Sequence, residues 1–303
     1  MCDKLICDER TLEYSVWPED AKDIINTERM IERKWVIYLH GVLASKEDIN
    51  VMLSEQVCDN DKLANLKKTI GIVSINRPGF GESVCVSNYS KYSDIANDVI
   101  NIAKQLGLTK LEAGWGIVGY SAGGPVALSV GSCPDILELG LNKIVLIASP
   151  CVKSQVSISK LRPFRKILIG IYYLSHAFIR RFPKVITKNY LKLPEFICEN
   201  RTKSLETYYT QGSWFPTWEC LMLEGCTDET NFMISDVKVP VDLFHGVKDK
   251  IVNIKNAYQI IDNLKTKTKF IIYDDLTHLS ISTKSCEIFS SVIDLNITNE
   301  SST

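Results

Sequence analysis

The stretch that most constrains this chain is Gly119-Tyr120-Ser121-Ala122-Gly123-Gly124. It reads G-x-S-x-G with one further glycine. Apolar and small residues, Trp115 to Val118, precede it, and a helix-compatible run, Val126-Ala127-Leu128, follows it. Strand, sharp turn and helix in that order stand a serine exposed at the end of a strand. Gly119 and Gly123 leave room for neighbouring backbone where a larger side chain would collide. The motif is short, and an ordinary glycine–serine turn reads the same way. The rest of the chain has to decide between the two.

The remaining sequence alternates short apolar runs with helical patterns. Thr11 to Trp17 alternates as an edge strand would, and Pro18 ends it. Asp20 to Arg33 is polar, a connection or a second short strand. Lys34–Leu39 and Ile70–Ile75 are continuous apolar runs, the pattern of strands covered on both faces. Tyr92 to Leu106 places Ile95, Val99, Ile102 and Leu106 on one helical face, with Ser93 as N-cap and Gly107 as the stop. Lys143–Ala148, Pro240–His245 and Lys269–Tyr273 read as further strands. Asn253–Leu264 and roughly Thr283–Leu295 read as helices. Such alternation predicts an α/β architecture, a mostly parallel sheet with helices on both faces. In sheets of that kind active groups gather at the carboxyl ends of the strands. His40-Gly41, Ser121, Asp249 and His278 each lie just past such an end.

A serine hydroxyl needs an adjacent base to become a nucleophile, and a histidine base needs an acid on its other nitrogen. The chain holds four histidines: His40, His176, His245 and His278. His278 follows the last strand and is the expected base. His245 precedes a glycine at a strand end and reads as a packing residue. Asp249 is the expected acid, with Asp228, Asp274 and Asp275 as competitors. The order Ser121, Asp249, His278 is the Ser…Asp…His order of one hydrolase architecture. The oxyanion of a tetrahedral intermediate needs preorganised donors. The backbone N–H groups of Ala122 and Val42 are assigned that role, with His40 and Gly41 bracing the second loop.

With these positions in place, the sequence resembles the capped α/β-hydrolase superfamily. The branch it resembles holds small esterases, monoacylglycerol-lipase-like enzymes and proline-iminopeptidase-like enzymes. The matching stretches are YLHGV at Tyr38–Val42, NRPGFGES at Asn76–Ser83, GYSAGG at Gly119–Gly124, FHGVKDKIV at Phe244–Val252 and LTHLS at Leu276–Ser280. The resemblance implies an α/β-hydrolase fold with a helical cap insertion, and a serine hydrolase with Ser121, Asp249 and His278 as its triad. It departs from the family pattern at Asn76, where Asp is common, and at Thr277, where Gly is common. Epoxide-hydrolase-like and dehalogenase-like relatives carry Asp at the elbow, whereas this chain carries serine. The expected division is a first core part over 1–150, a helical cap over 151–235 and a second core part over 236–303.

The charge distribution singles out the expected cap. The chain carries 35 basic and 36 acidic residues, a net charge of -1 that offers no global field for nucleic acid. Yet Cys151 to Pro194 contains ten basic residues and no acid, which leaves 25 basic against 36 acidic elsewhere. Ile167–Leu174 lies in that stretch between Arg165-Lys166 and Arg180-Arg181, a pattern suited to peripheral contact with an anionic membrane. A cap helix with a solvated basic rim has the same pattern. The expected partner is a small-molecule ester or acyl substrate. Amide or peptide hydrolysis by the same triad and a non-catalytic ligand receptor are the alternatives. No metal or organic cofactor is called for, since H-E-x-x-H, dinucleotide and phosphate-loop motifs are all missing. The ten cysteines form no C-x-x-C pair. With no signal-like start and no apolar run of the roughly 18 residues a spanning helix needs, a cytoplasmic protein is expected.

Overall fold

The computed structural model describes residues 3–7, 10–41, 44–78, 80, 83, 92–151, 181 and 234–293. Eight strands among them form one sheet, in the order β1-β2-β4-β3-β5-β6-β7-β8. β1 (Asp3–Cys7) and β2 (Arg10–Trp17) are antiparallel to each other, and β2 is antiparallel to β4 (Ile70–Ile75). The rest is parallel: β3 (Lys34–Leu39), β4, β5 (Trp115–Tyr120), β6 (Leu141–Ile147), β7 (Val241–Gly246) and β8 (Thr268–Tyr273).

The unbroken apolar runs are explained by burial on both faces. Trp35, Ile37 and Leu39 of β3 point into one core layer, and Val36 and Tyr38 into the other. The first layer is closed by α3 (Tyr92–Gln105), α4 (Gly123–Gly131) and α5 (Lys255–Asn263). The second is closed by α1 (Asp48–Met52), α2 (Asn60–Thr69) and α6 (Ser285–Ile293). Asp59 caps α2 by accepting the N–H groups of Asp61 and Lys62, both at 3.1 Å. Gly107 follows α3 with φ of 73°, a left-handed position open to glycine. The buried thiols of Cys58 and Cys286 are both pushed up, first by burial, Cys286 to about 12. They stay protonated and pack as small apolar groups.

Some expectations need correction. Thr11–Trp17 lies inside the sheet, because β1 pairs along its outer side. Asp20–Arg33 holds no strand but two short 3₁₀ turns, Glu19–Ile24 and Glu28–Glu32, which bury Ala21, Ile24 and Met30. Ser93 lies within α3 rather than before it. The expected cap lies almost wholly outside the described residues, and with it the membrane-contact stretch. No helix among the described residues is long and apolar enough to cross a membrane.

Strand order decides where a site can form. The chain leaves β3 for β4 on one side and returns to β5 on the other. In open sheets ligands bind beyond the carboxyl ends of the strands at such a switch, which here lies between β3 and β5.

Packing at the opposite end of β3 is tight. Gly71 pairs with Trp35, and a Cβ there would sit 2.7 Å from the indole ring. The Trp35 indole N–H donates to the Met30 carbonyl at 2.9 Å. Gly71→Ala should therefore destabilise the fold by about 1–3 kcal/mol through overpacking, read as a lower urea midpoint with an unchanged m-value.

Candidate active site

Ser121 stands between β5 and α4 with φ of 49°, uncommon for a residue with a side chain. Its N–H donates to Ile147 O at 2.8 Å, and its carbonyl accepts Gly124 N–H at 2.9 Å. The turn is possible because the following helix runs against β3. A Cβ on Gly123 would lie 2.1 Å from the Leu39 carbonyl oxygen, and one on Gly119 would lie 2.7 Å from Gly124 Cα. Gly41 is close as well, since its Cβ would meet that of Ser121 at 3.0 Å. Ser121 keeps 9% of its surface open. Ala122 is the N-cap of α4, so its backbone lies at the donor end of that helix.

The structure brings Ser121, His278 and Asp249 into one hydrogen-bonded line. His278 Nε2 lies 3.0 Å from Ser121 Oγ, and Nδ1 lies 2.7 Å from Asp249 Oδ2. A buried carboxylate on Nδ1 sets that nitrogen as the donor and leaves Nε2 to accept the hydroxyl proton. The other oxygen of Asp249 accepts the N–H groups of Ile251 and Val252, both at 2.8 Å. Three N–H donors thus hold the carboxylate in one orientation. Lys248 N–H donates to Leu276 O at 3.0 Å, which ties the loop after β7 to the loop after β8. The competing acids are elsewhere: Asp275 pairs with Lys248 on the surface at 2.5 Å, Asp274 is exposed, and Asp228 lies outside the described residues.

His40 is buried and braces the loop after β3. Its Nδ1–H donates to Gly41 O at 2.8 Å, and its Nε2 accepts Arg77 N–H at 3.2 Å. The Arg77 guanidinium reaches the same Gly41 carbonyl at 3.3 Å and lies 4.6 Å above the Phe80 ring. Val42, the second expected oxyanion donor, lies outside the described residues, as does His176. Among the described residues no group of three or more His, Cys, Asp or Glu is placed to hold a metal ion.

Four supporting residues were not assigned from the sequence. Tyr120, the residue before the serine, donates its hydroxyl to His278 O at 2.5 Å and stacks on that ring at 5.6 Å. His245 is more than packing: its Nε2–H donates to Val252 O at 2.8 Å, and it lies 3.5 Å from Asp249 Oδ2. Burial, set first, pushes its pKa down, against smaller upward effects from the Val252 carbonyl and Asp249. The imidazole is therefore held neutral. Thr277 and Ser280 cap each other: Ser280 Oγ accepts Thr277 N–H at 2.8 Å, and Thr277 Oγ1 accepts Ser280 N–H at 3.2 Å. A glycine at 277 would supply no such hydroxyl. Only a backbone partner reveals each of these roles, and backbone partners are invisible to motif spacing.

Residues 64–282 match the family model for serine aminopeptidase, S33, more than half of the chain. No curated protein matches the chain in sequence. Solved structures share its fold. An esterase from Exiguobacterium antarcticum is 15% identical, with 97% of this chain and 100% of that chain covered and a TM-score of 0.66. An esterase from Rhodococcus sp. ECU1013 is 17% identical, with 97% and 99% covered and a TM-score of 0.61. A bromoperoxidase from Bacillus anthracis is 15% identical, with 97% and 99% covered and a TM-score of 0.64. At such identity the likeness is one of fold, and the chemistry has to be argued from the site.

Tyr120→Phe removes one buried hydrogen bond to the histidine loop, worth about 1 kcal/mol net. It should keep the fold, lower the unfolding midpoint accordingly and slow phosphonate labelling of Ser121. His245 gives a pH signature. Its folded pKa lies below the ordinary 6.5, so the unfolded chain takes the proton first. The stability held by neutral His245 is full above about pH 6.5 and is lost as pH falls through the folded value. The melting temperature of His245→Gln should fall less steeply than the wild type's below pH 6.5, read by thermal scans from pH 8 to pH 5.

Proposed function

The chain belongs to the serine aminopeptidase S33 family, a family of α/β-hydrolases, and from that premise we propose that it is a serine hydrolase cleaving a carboxylic ester of an apolar or acyl-chain substrate. The observation that carries this reading is the line from Ser121 Oγ through His278 to Asp249, at 3.0 and 2.7 Å.

The mechanism follows from that geometry. His278 Nε2 takes the hydroxyl proton as Ser121 Oγ attacks the ester carbonyl. The imidazolium that forms is stabilised by the Asp249 carboxylate on Nδ1. The negative oxygen is received by the Ala122 N–H at the head of α4, with Val42 as the second donor. His278 then gives its proton to the leaving alkoxide, which departs as an alcohol. Water, deprotonated by the same nitrogen, attacks the acyl-enzyme; His278 then returns the proton to Ser121 Oγ as the bond to the acyl group breaks and the acid leaves. No step requires a metal or an organic cofactor.

Amide hydrolysis is the second reading, favoured by the description of the matching family. It uses the same three side chains but must hold a substrate's amino terminus. The acids available for that in the expected cap, such as Glu195, Glu199, Glu206, Glu219 and Glu224, lie outside the described residues. Ester cleavage needs no such partner, and esterases recur among the structures of the same fold.

A fluorophosphonate probe should label the wild-type protein at Ser121. Ser121→Ala should lose labelling and reduce nitrophenyl-ester turnover by at least about 10³-fold. Unchanged turnover in the alanine variant would sink the proposal. Faster cleavage of aminoacyl-naphthylamides than of esters of two to twelve acyl carbons, roughly the span an apolar pocket discriminates, would select the second reading.

A further inference from the structure

The segment leaving β4 grips the loop leaving β3 at both ends. Arg77 holds the near end, at His40 and Gly41. Asn76 holds the far end, because its Oδ1 accepts the Lys46 N–H at 2.7 Å. The Lys46 carbonyl is held too, by the Ser74 hydroxyl at 2.7 Å.

Asn76 is itself fixed by β2. Its Nδ2 donates to Glu13 Oε2 at 2.7 Å, and its N–H donates to Glu13 O at 2.9 Å. Ser83 Oγ donates to Asn76 O at 2.6 Å and accepts Glu13 N–H at 2.9 Å. The other oxygen of Glu13 lies 3.3 Å from Lys46 Nζ, which also contacts the Glu47 carboxylate. Glu13, Lys46 and Asn76 are each no more than 4% exposed.

This arrangement dictates an amide at position 76. One side-chain atom must accept from a backbone N–H, and the other must donate to a carboxylate. An aspartate would set two carboxylates 2.7 Å apart in a buried site, which forces one to bind a proton or move away. The resemblance expects aspartate there, so the departure at Asn76 and the presence of Glu13 on β2 belong together.

We propose that Glu13, Lys46 and Asn76 are a positioning unit for the loop over residues 40–46, setting where that loop offers its backbone donors to the reacting carbonyl oxygen. The inference rests on the hydrolase reading, in which this loop completes the oxyanion site. None of the three side chains touches substrate. They act by fixing the backbone at Lys46, while Arg77 and His40 fix it at Gly41.

The test is an exchange of charge and amide: Asn76→Asp, Glu13→Gln and the double variant, which restores one amide and one carboxylate with the wild-type net charge. N76D should lower kcat on a nitrophenyl ester by about tenfold or more, since misplaced oxyanion donors act on the transition state. KM should stay within about twofold. Deuterium uptake in the peptide spanning 40–48 should rise. The double variant should recover most of the lost kcat and the protection. N76D with unchanged kcat and protection, or a double variant no better than N76D, would overturn the proposal. If N76D does not fold, recovery of folding in N76D/E13Q is the expected result, and a double variant that stays unfolded overturns the pairing. Ser74→Ala, which releases only the Lys46 carbonyl, then carries the kinetic arm and should lower kcat with KM held. A wild-type protein without turnover would overturn the hydrolase reading alone, because deuterium uptake in the 40–48 peptide still reads the clamp.

Discussion

The close approach of α4 to β3 is the constraint on which the site depends. Gly123 lies where a Cβ would enter the Leu39 carbonyl oxygen. That contact lets the helix start at once after β5, which in turn forces Ser121 to a φ of 49°. Such a backbone costs of order 1–3 kcal/mol and persists only where the surroundings over-determine it. Here they do: β5 pairs with β3 on one side and β6 on the other, and the Ser121 N–H is taken by Ile147 O. The strain lifts the hydroxyl off the end of the strand and leaves the Ala122 amide at the donor end of a helix. Both consequences follow from one backbone contact.

Positioning His278 and Asp249 is a separate problem, solved by cross-links between loops. The two loops come from adjacent parallel strands, β7 and β8, so their roots are in register. Lys248 N–H then joins them at Leu276 O. The Tyr120 hydroxyl ties the His278 loop back to the elbow at the His278 carbonyl, so the strand that leads to Ser121 also anchors His278. Asp249 is buried, yet its charge is compensated by two backbone donors and His278. A neutral His245 beside it fits that balance, because a buried cation there would compete with His278 for the same oxygen.

The parts of this architecture that were legible in the sequence are those encoded by runs of one residue type. Lys34–Leu39 and Ile70–Ile75 are strands with the expected bounds because runs buried on both faces are almost wholly apolar, Lys34 and Ser74 being the exceptions. The three residues at the site were legible through position, each following such a run. β1 was not, since Asp3-Lys4-Leu5-Ile6-Cys7 is neither an unbroken apolar run nor an alternation and gains meaning only from pairing with β2. Nor was His245, whose partner is a carbonyl seven residues away. Fold-level pattern is local in sequence, while the support of a site is local only in space.

Asn76 and Thr277 sharpen that distinction. Each stands where the family pattern has another residue, and each would count as a defect if positions were scored one at a time. In the structure each departure comes with a partner. Thr277 exchanges hydrogen bonds with Ser280, and Asn76 donates to a carboxylate on a distant strand. Burying a polar group is costly only while it lacks a partner. Thr277 is exposed and Asn76 is buried, so the cost falls on Asn76 alone, whose substitution is tolerated as a pair with its compensation on whichever element the fold brings alongside. For Asn76 that element is β2, an antiparallel strand 63 residues earlier that the parallel core does not need for its own pairing. An antiparallel strand outside the parallel core supplies the charge that fixes the loop at its centre.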